Sequence, residues 1–470
     1  MSSLNASLAS ALSGLMADQA ALETTTNNVA NISTPGYSRQ VPIMVTSDPI
    51  VLDPLTLGTG VTLKSIESIR DPILESRIQQ ETQTQGQMDS LVGALSQTQV
   101  SFTSSTADIG TSISNFFNSV NQLSTSPTDL SLRQGLLTAA NSLASAFNLT
   151  ANNLTTQRGS IDGSIKEDVG QINELTKQIA ELNVKISNLQ NIGASAGTFV
   201  DQRTQAIDQL ASLVDVIAIP TDNTLTLTTA TGTPLVAGQI SFQLTTAPDL
   251  TDANVQHVFS QGNDITSTLV SGQLGGLIQA RDQQIPAILT QLDSLAAGLA
   301  TAVNRVQTGG YDLNGNPTGV LDIKGNPQNA VPLFSFINPP PAKGAAASLA
   351  VVITDPAKIA ASSDGAAGSN GNAEAMYALS SQPIIQGQSA SDYYSSVVFN
   401  VGNAVASATA EQSASDLALR QLSDQRASIS GVSLDQEAAN LMRYQQAYAA
   451  SAQVITTINQ MMQTVINMKN

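Results

Sequence analysis

The chain has 470 residues, a formal net charge of −17 and no cysteine. Disulfide, thiolate and Cys–metal chemistry are therefore excluded. With no basic run among the 19 Lys and Arg residues, so are a nucleic-acid surface and attraction to an anionic membrane. Only 12% of residues are charged; Ser, Thr, Asn and Gln fill the surface instead, which suits packing against other protein because few charges must be desolvated.

The first predicted element is a helix over about 4–31. Met1, Leu8, Leu15, Leu22 and Val29 recur every seven residues, with Leu4, Ala11 and Ile32 in the companion positions. That is the pattern of a coiled-coil seam. It is lean in bulk, so this end is expected to order on assembly rather than in a lone monomer. Thr34-Pro35-Gly36-Tyr37 stops the helix, Pro setting the first corner of a turn and Gly supplying positive φ at the second. Residues 41–70 read as short extended pieces, and Pro42, Pro49 and Pro54 keep them out of a central sheet.

Helical patterning occupies 72–118 and 129–158, with Asp129 as an N-cap. The segment 161–190 has the cleanest heptad: Ile165, Ile172, Ile179 and Ile186 at one position, Leu175, Leu182 and Leu189 at the other. It reads as an intramolecular core. Gly193 to Gly197 breaks it, and a shorter helix covers 199–217. From 221 to 262 the period changes to two, with Leu225 and Leu227, then Ile240, Phe242 and Leu244, alternating with polar residues around a Gly232–Pro234 turn. Helix returns over 274–306; 309–356 is loop- and strand-like; Pro339 to Pro341 and 364–373 read as exposed. A long helix covers 391–428, and a terminal one follows Gly431, striped by Leu441, Tyr448, Ile455 and Met462 with Tyr444, Ile458 and Val465 beside them.

The fold class expected is mainly α with β inserts: terminal coiled-coil helices, a long helical-bundle rod and outer β-rich domains. The division expected is 1–40 with 430–470 as the terminal domain, disordered as a monomer. The rod is 41–220 with 263–306 and 374–429, and the outer inserts are 221–262 and 307–373.

Little in the sequence points to catalysis, and no enzymatic activity, cofactor or metal is expected. His257 is the sole histidine and lies in strand-like sequence, where a hydrogen-bonded surface role is the simpler reading. Asp312-Leu313-Asn314-Gly315-Asn316 starts like a calcium loop, but Pro317 and Ile323 stand where Gly and a bidentate Glu belong, so a plain turn is expected. Carboxylate pairs such as Glu75 and Glu81 read as solvated helix faces. No run of about 18 apolar residues is present. The N-terminus lacks the basic region of a secretory signal, having no Lys or Arg before Arg39. The protein is expected either to stay in the cytoplasm or to leave without a cleaved signal.

Both ends resemble the rod/hook family of bacterial flagellar axial proteins. Ala30 to Gln40 contains Asn31, Thr34, Pro35, Gly36 and Tyr37 in the family's Asn-x-x-Thr-x-Gly-aromatic turn, and Ser430 to Tyr448 is similar to its C-terminal signature. The blocks Phe199-Val200-Asp201-Gln202-Arg203, Gly272 to Leu277, Arg281-Asp282, Ile285-Pro286, Leu292 to Ala296, Asn304 and Gly310 to Gly315 resemble the hook-associated protein 1 family. Many members have a His shortly after the Asn304 position, where this chain has Gln307 nearby.

The resemblance implies a structural subunit that joins hook to filament as a homo-oligomeric ring. It would contact the hook protein and a second hook-associated junction protein. It further implies type III export without a cleaved signal peptide, a cytoplasmic chaperone on the C-terminal helix, and an extracellular location in the flagellum. The residues expected at the assembly interface are Leu4, Leu8, Leu15, Leu22, Val29, Ile32, Leu441, Tyr444, Tyr448, Ile455, Ile458 and Met462. The alternatives are another axial protein, of hook or distal rod, or a secreted glycan-binding protein or enzyme acting through the β inserts.

Overall fold

A computed structural model describes residues 2–52, 55–103, 108–221, 224–249, 255–321, 327–328, 331–336 and 344–468. The expectations placed on Met1, Pro54, Ile323 and Pro339–Pro341 lie outside these residues.

Helix α1 (Ser2–Ala30) leads into a β hairpin of β1 (Gln40–Thr46) and β4 (Val61–Ser68), with a smaller one of β2 (Ile50–Leu52) and β3 (Leu55–Leu57) at its tip. Each hairpin has only edge strands, which is why Pro42 sits in β1 without interrupting a ladder on both sides. The rod follows as α2 (Pro72–Thr103), α3 (Ile109–Thr125), α4 (Leu130–Asn191) and α5 (Gly197–Leu213). Asp108 and Asp129 cap α3 and α4, Asp129 Oδ1 accepting from the Ser131 amide at 2.7 Å.

The two helical segments predicted over 129–190 are one helix of 62 residues, about 90 Å long. Gly159, Gly163 and Gly170 fall inside it without breaking it, because tertiary packing outweighs the ~1 kcal/mol each glycine costs. Its end is set by Gly193 at φ +70, with the Ala194 amide reaching back to the Leu189 carbonyl at 2.8 Å.

A four-stranded antiparallel meander follows: β5 (Ile217–Thr221), β6 (Thr224–Thr228), β7 (Pro234–Ala237) and β8 (Ile240–Ser241). A three-stranded sheet of β9 (Leu244–Pro248), β10 (Gln256–Ser260) and β11 (Asn263–Asp264) comes next. Both lie along α4. Helix α6 (Gly272–Gln279) runs through a π turn at Ala280–Gln284 into α7 (Ile285–Gln307). Length and composition would let this run cross a membrane. In the fold its apolar side is filled by protein, with Leu274, Ile285, Leu292 and Leu295 fully buried. The glycines of α6 allow contact no side chain would: a Cβ on Gly276 would stand 2.2 Å from the Gln87 carbonyl of α2.

Among the described residues after α7, strands are short. The pairs, β12 (Val320–Leu321) with β13 (Pro327–Gln328) and β14 (Phe334–Ser335) with β15 (Ala350–Val351), are two residues each, around α8 (Ala345–Ser348). Asn, Gly and Pro supply turns here rather than alternating apolar residues. Gln307 is fully buried: its amide donates to Lys358 O at 3.1 Å and accepts from the Ala360 amide at 3.1 Å, so it clamps this segment. Asp312 Oδ1 accepts from the amides of Asn314 and Asn316, both at 2.8 Å, closing the plain turn predicted there. The chain ends with α9 (Gly371–Ala378), α10 (Ala390–Ser430) and α11 (Leu434–Asn467).

One core runs through α2 to α7, the inner faces of the sheets, and the start of α10. Ile165, Ile172, Ile179 and Ile186 are buried in it, so the 161–190 seam is intramolecular. Two arginines are enclosed with their partners. Arg133 donates to the carbonyls of Pro127 at 2.7 Å and Ile359 at 2.6 Å. Arg281 pairs with Asp162 at 2.6 Å and with both oxygens of Asp282 at 2.8 Å. The inserts are stitched to the helices by asparagines. Asn173 of α4 donates to Leu244 O and accepts from Leu244 N, both at 2.8 Å. Asn304 of α7 does the same with Phe334 at 2.8 and 2.9 Å.

Candidate functional site

The two end signatures meet. Past Ala30 the chain turns on Thr34–Tyr37, with the Tyr37 amide donating to Thr34 O at 3.2 Å and Gly36 at φ +77. Asn31 organises this turn: its Nδ2 donates to Asn27 O at 2.9 Å and its Oδ1 accepts from Thr34 Oγ1 at 3.1 Å. Thr34 and Pro35 are exposed, while Gly36 and Tyr37 are half-buried against the rod.

Beneath the turn lies a buried polar node. Asn28 Oδ1 accepts from the Tyr37 hydroxyl at 2.8 Å and the Gln40 amide at 2.9 Å. Asn28 Nδ2 donates to Gln40 O at 2.8 Å and to Glu437 Oε2 at 3.2 Å. Glu437 is 1% exposed, and its other oxygen accepts from Arg39 Nε at 2.7 Å. The Arg39 amide in turn donates to Ser430 O at 2.9 Å. Burial, reinforced by the charges of Asp201 and Glu437, pushes the Tyr37 hydroxyl up to about 12, so it remains a donor at neutral pH. One network therefore ties the end of α1, the start of β1, the end of α10 and the start of α11.

The rod side of the node is also paired. Arg70 bridges to Asp201 and donates to Thr204 Oγ1 at 2.7 Å. Arg426 of α10 meets Glu75 of α2 at 3.1 Å and Asp208 of α5 at 3.5 Å. Glu75 is thus a mostly buried ion-pair partner and not the solvated residue expected. Burial pushes Asp208 up to about 6, against the pull of Arg426.

From the node α1 and α11 run side by side. Asn28 faces Glu437 and Asp18 faces Ser451, at 3.4 Å, so the two helices are antiparallel. The closest approach uses small residues. Ala17, Ala21, Thr24, Thr25 and Asn28 are the buried positions of α1, and a Cβ on Gly14 would touch Ser451 at 3.6 Å. The leucine seam predicted for α1 is rotated off this line: Leu4, Leu8, Leu15 and Leu22 are half-buried, Val29 and Ile32 exposed. Alanine and threonine let two backbones approach, and that displaces the bulkier side chains to the flanks. On α11 the prediction lies closer to the contact. Ile458 is buried, Leu441, Tyr444, Ile455 and Met462 are half-buried, and Tyr448 is exposed.

Many large apolar groups of the pair face outward. Leu12, Met16, Leu434, Met442, Val454, Met461 and Ile466 are all exposed, Met16 by 61% and Met442 by 58%. Sequence reasoning missed Asn28, Arg39 and Glu437 as site residues. The available signal was a single acid on an apolar helix stripe, and a single base beside the turn, in a chain poor in charge. His257 contacts Asp264 at 2.5 Å and Asp249 at 3.4 Å on the outer sheet. Among the described residues, no group of three or more His, Asp or Glu side chains is arranged to hold a metal.

Three family models match. Residues 95–321 match the flagellar hook-associated protein FlgK helical domain, 8–37 the flagella basal body rod protein, and 424–468 the flagellar basal body rod FlgEFG protein C-terminal region. The chain is 29% identical to flagellar hook-associated protein 1 of Escherichia coli K12, over 98% of its own length and 99% of the relative's. It is 29% identical to the Bacillus subtilis protein of the same name, over 99% of both chains. The solved structure of the flagellar hook junction protein FlgK from Burkholderia pseudomallei superposes with a TM-score of 0.66 at 18% identity, covering 76% of this chain and all of that one. At that identity the superposition speaks for the fold, while the sequence relatives extend the likeness from end to end. Rod-type signatures at the two termini, brought together at one node on a helical core that matches the hook-associated family model, make the chain similar to flagellar hook-associated protein 1 from end to end.

Proposed function

We propose that this chain is a structural subunit at the junction of the flagellar hook and filament, and that it assembles through α1 and α11. One observation carries the reading: a two-helix arm with large apolar side chains turned outward, held to a well-packed rod by a buried ion-pair node. An isolated pair of this kind leaves apolar surface in water that further helices would cover. Copies of the chain, arranged as a ring, supply those helices. The residues proposed to make the contacts are the half-buried and exposed leucines of α1 and the flanks of α11, including Tyr448.

In the same reading the terminal domain is 1–40 with 430–470. The rod is 41–220 with 263–306 and 374–429, and 221–262 with 307–373 faces outward. The arm stays largely unfolded until neighbours enclose it, which suits passage through a narrow export channel without a cleaved signal and protection of α11 by a chaperone. The partners are the hook protein on one side and a second hook-associated protein on the other. The subunit carries out no reaction of its own.

Deletion of the gene should leave hooks without filaments and release filament protein to the medium. A chain lacking 1–40 and 430–470 should remain folded and fail to restore filaments. Filaments completed by that truncated chain would overturn the assembly role of the arm.

A further inference from the structure

Two faces poor in charge, one on an insert sheet and one on a rod helix, are exposed. The first is the outer face of the β5–β8 sheet. Backbone pairing places Ile219, Thr226, Ala237 and Ile240 in one row across all four strands. Their neighbours Leu227 and Val236 point the other way and are fully buried toward α4. Ile219 is 45% exposed and Ile240 62% exposed. From 217 to 241 the single charged residue is Asp222.

The second face belongs to α10. This helix buries Val401, Ala408, Ser415 and Leu422, one residue every seven, against α2. Its far side is left in water. Phe399 is 71% exposed and Leu417 65% exposed, with Ala406 and Ala410 between them on the same stripe. No charged residue occurs from Tyr393 to Ala410, and at the Leu417 end the nearest charges, Asp416 and Arg420, neutralise each other as an exposed pair at 2.7 Å.

The sheet rests on α4 and α10 rests on α2, so bundle helices separate the two faces. Such a pair of faces suits a repeating contact between copies. A chain of net charge −17 experiences repulsion when copies crowd together, least where the touching surfaces carry little net charge. Two different faces on separate sides give a head-to-tail contact that continues around an axis, whereas a face that met itself would stop at a dimer. We propose that neighbouring copies of this chain touch laterally, the outer face of β5–β8 in one copy seated on the outward stripe of α10 in the next. This rests on the junction reading, since it presumes a repeating subunit, and it adds an insert-to-rod contact to the arm contacts.

The absence of cysteine makes the test clean, because introduced thiols are the sole ones. Full-length chain carrying Ile219→Cys and Leu417→Cys is produced in cells lacking the native protein. Isolated hook ends are then treated with oxidant or a short bis-maleimide. A ladder of dimer, trimer and larger species is expected from the double variant, with both single variants remaining monomeric. Normal amounts of double variant at the hook end without a ladder would overturn the contact, as would a dimer from Ile219→Cys alone.

In a second arm, Ile219→Glu with Ile240→Glu should keep the helical circular dichroism of the native chain. Its occupancy of the hook end should fall about tenfold, the equivalent of ~1.4 kcal/mol. Unchanged occupancy of this folded variant would also overturn the contact. Immunogold labelling of the native chain separates the two readings. Native protein at the hook end with either negative result sinks the lateral contact alone; native protein missing from the hook end sinks the junction reading and the contact with it.

Discussion

The rod helix α4 and the terminal helix α11 show how differently one chain uses an apolar repeat. In α4 a column of isoleucines is fully enclosed by α5 and the two sheets. In α11 just Glu437 and Ile458 are fully enclosed, and Leu434, Met442, Val454 and Met461 face water. The rod settles its apolar surface within one chain, while the arm holds a small-residue contact line and leaves its bulk on the outside. A heptad therefore announces that a helix will be covered, and its surroundings decide by what.

The contrast can be broken most forcefully by equal truncations in the two regions. Leu292→Ala in α7 removes a fully buried side chain and should destabilise the monomer by about 2–5 kcal/mol. Leu15→Ala in α1 should cost the monomer under about 1 kcal/mol and yet reduce incorporation into the flagellum. Urea unfolding of purified chain, set beside hook-end occupancy in cells, measures both. A large monomer effect at Leu15 would mean that the arm is stabilised like the rod.

A smaller effect is expected at the node between them. Glu437→Ala leaves Arg39 and Asn28 without their carboxylate, at a cost of about 1–3 kcal/mol. The loss should fall on the arm alone. In chain assembled at isolated hook ends, hydrogen exchange of 2–30 and 434–467 should quicken while the amides of α4 keep their protection. Uniform loosening of both regions would show that arm and rod unfold as one unit.

The smallest effect concerns charge inside the rod. Burial, with Glu167 adding to it, pushes Asp168 up to about 7 from its ordinary 3.8. A carboxyl raised in the folded state holds its proton where the unfolded chain has released it. Its contribution to stability is complete below about 3.8 and is lost as pH rises through about 7. Asp208, raised to about 6, acts in the same direction. Asp168→Asn should raise the urea midpoint relative to the native chain, by more at pH 8 than at pH 5 and by least below about pH 3.8. Equal midpoints for variant and native chain at pH 8 would remove Asp168 as a source of this slope.

What could be read from the sequence followed the size of the side chains that carry the signal. The α4 seam was legible because isoleucine and leucine mark it, and the Thr34–Tyr37 turn because Pro and Gly have narrow conformational meanings. The contact line within the arm was not legible because Ala17, Ala21 and Thr24 carry almost no hydrophobic signal, although their smallness is what brings the helices together. The Glu75–Arg426–Asp208 cluster was invisible because its members are far apart in sequence, on three helices. The Gly86 and Gly276 approaches were hidden for a related reason: a missing side chain has no periodicity, yet a Cβ on Gly86 would stand 2.1 Å from the Ser212 carbonyl.

The asparagine stitches have a consequence for how such a subunit diversifies. Asn173, Asn304 and Asn183 grip the outer segments by peptide groups alone, at Leu244, Phe334, Leu225 and Gly238. A grip on peptide groups is blind to what the gripped residue is. Leu225, Leu244 and Phe334 are themselves held in the core, so it is the exposed residues between these points that can change while the grips from the helices stay fixed.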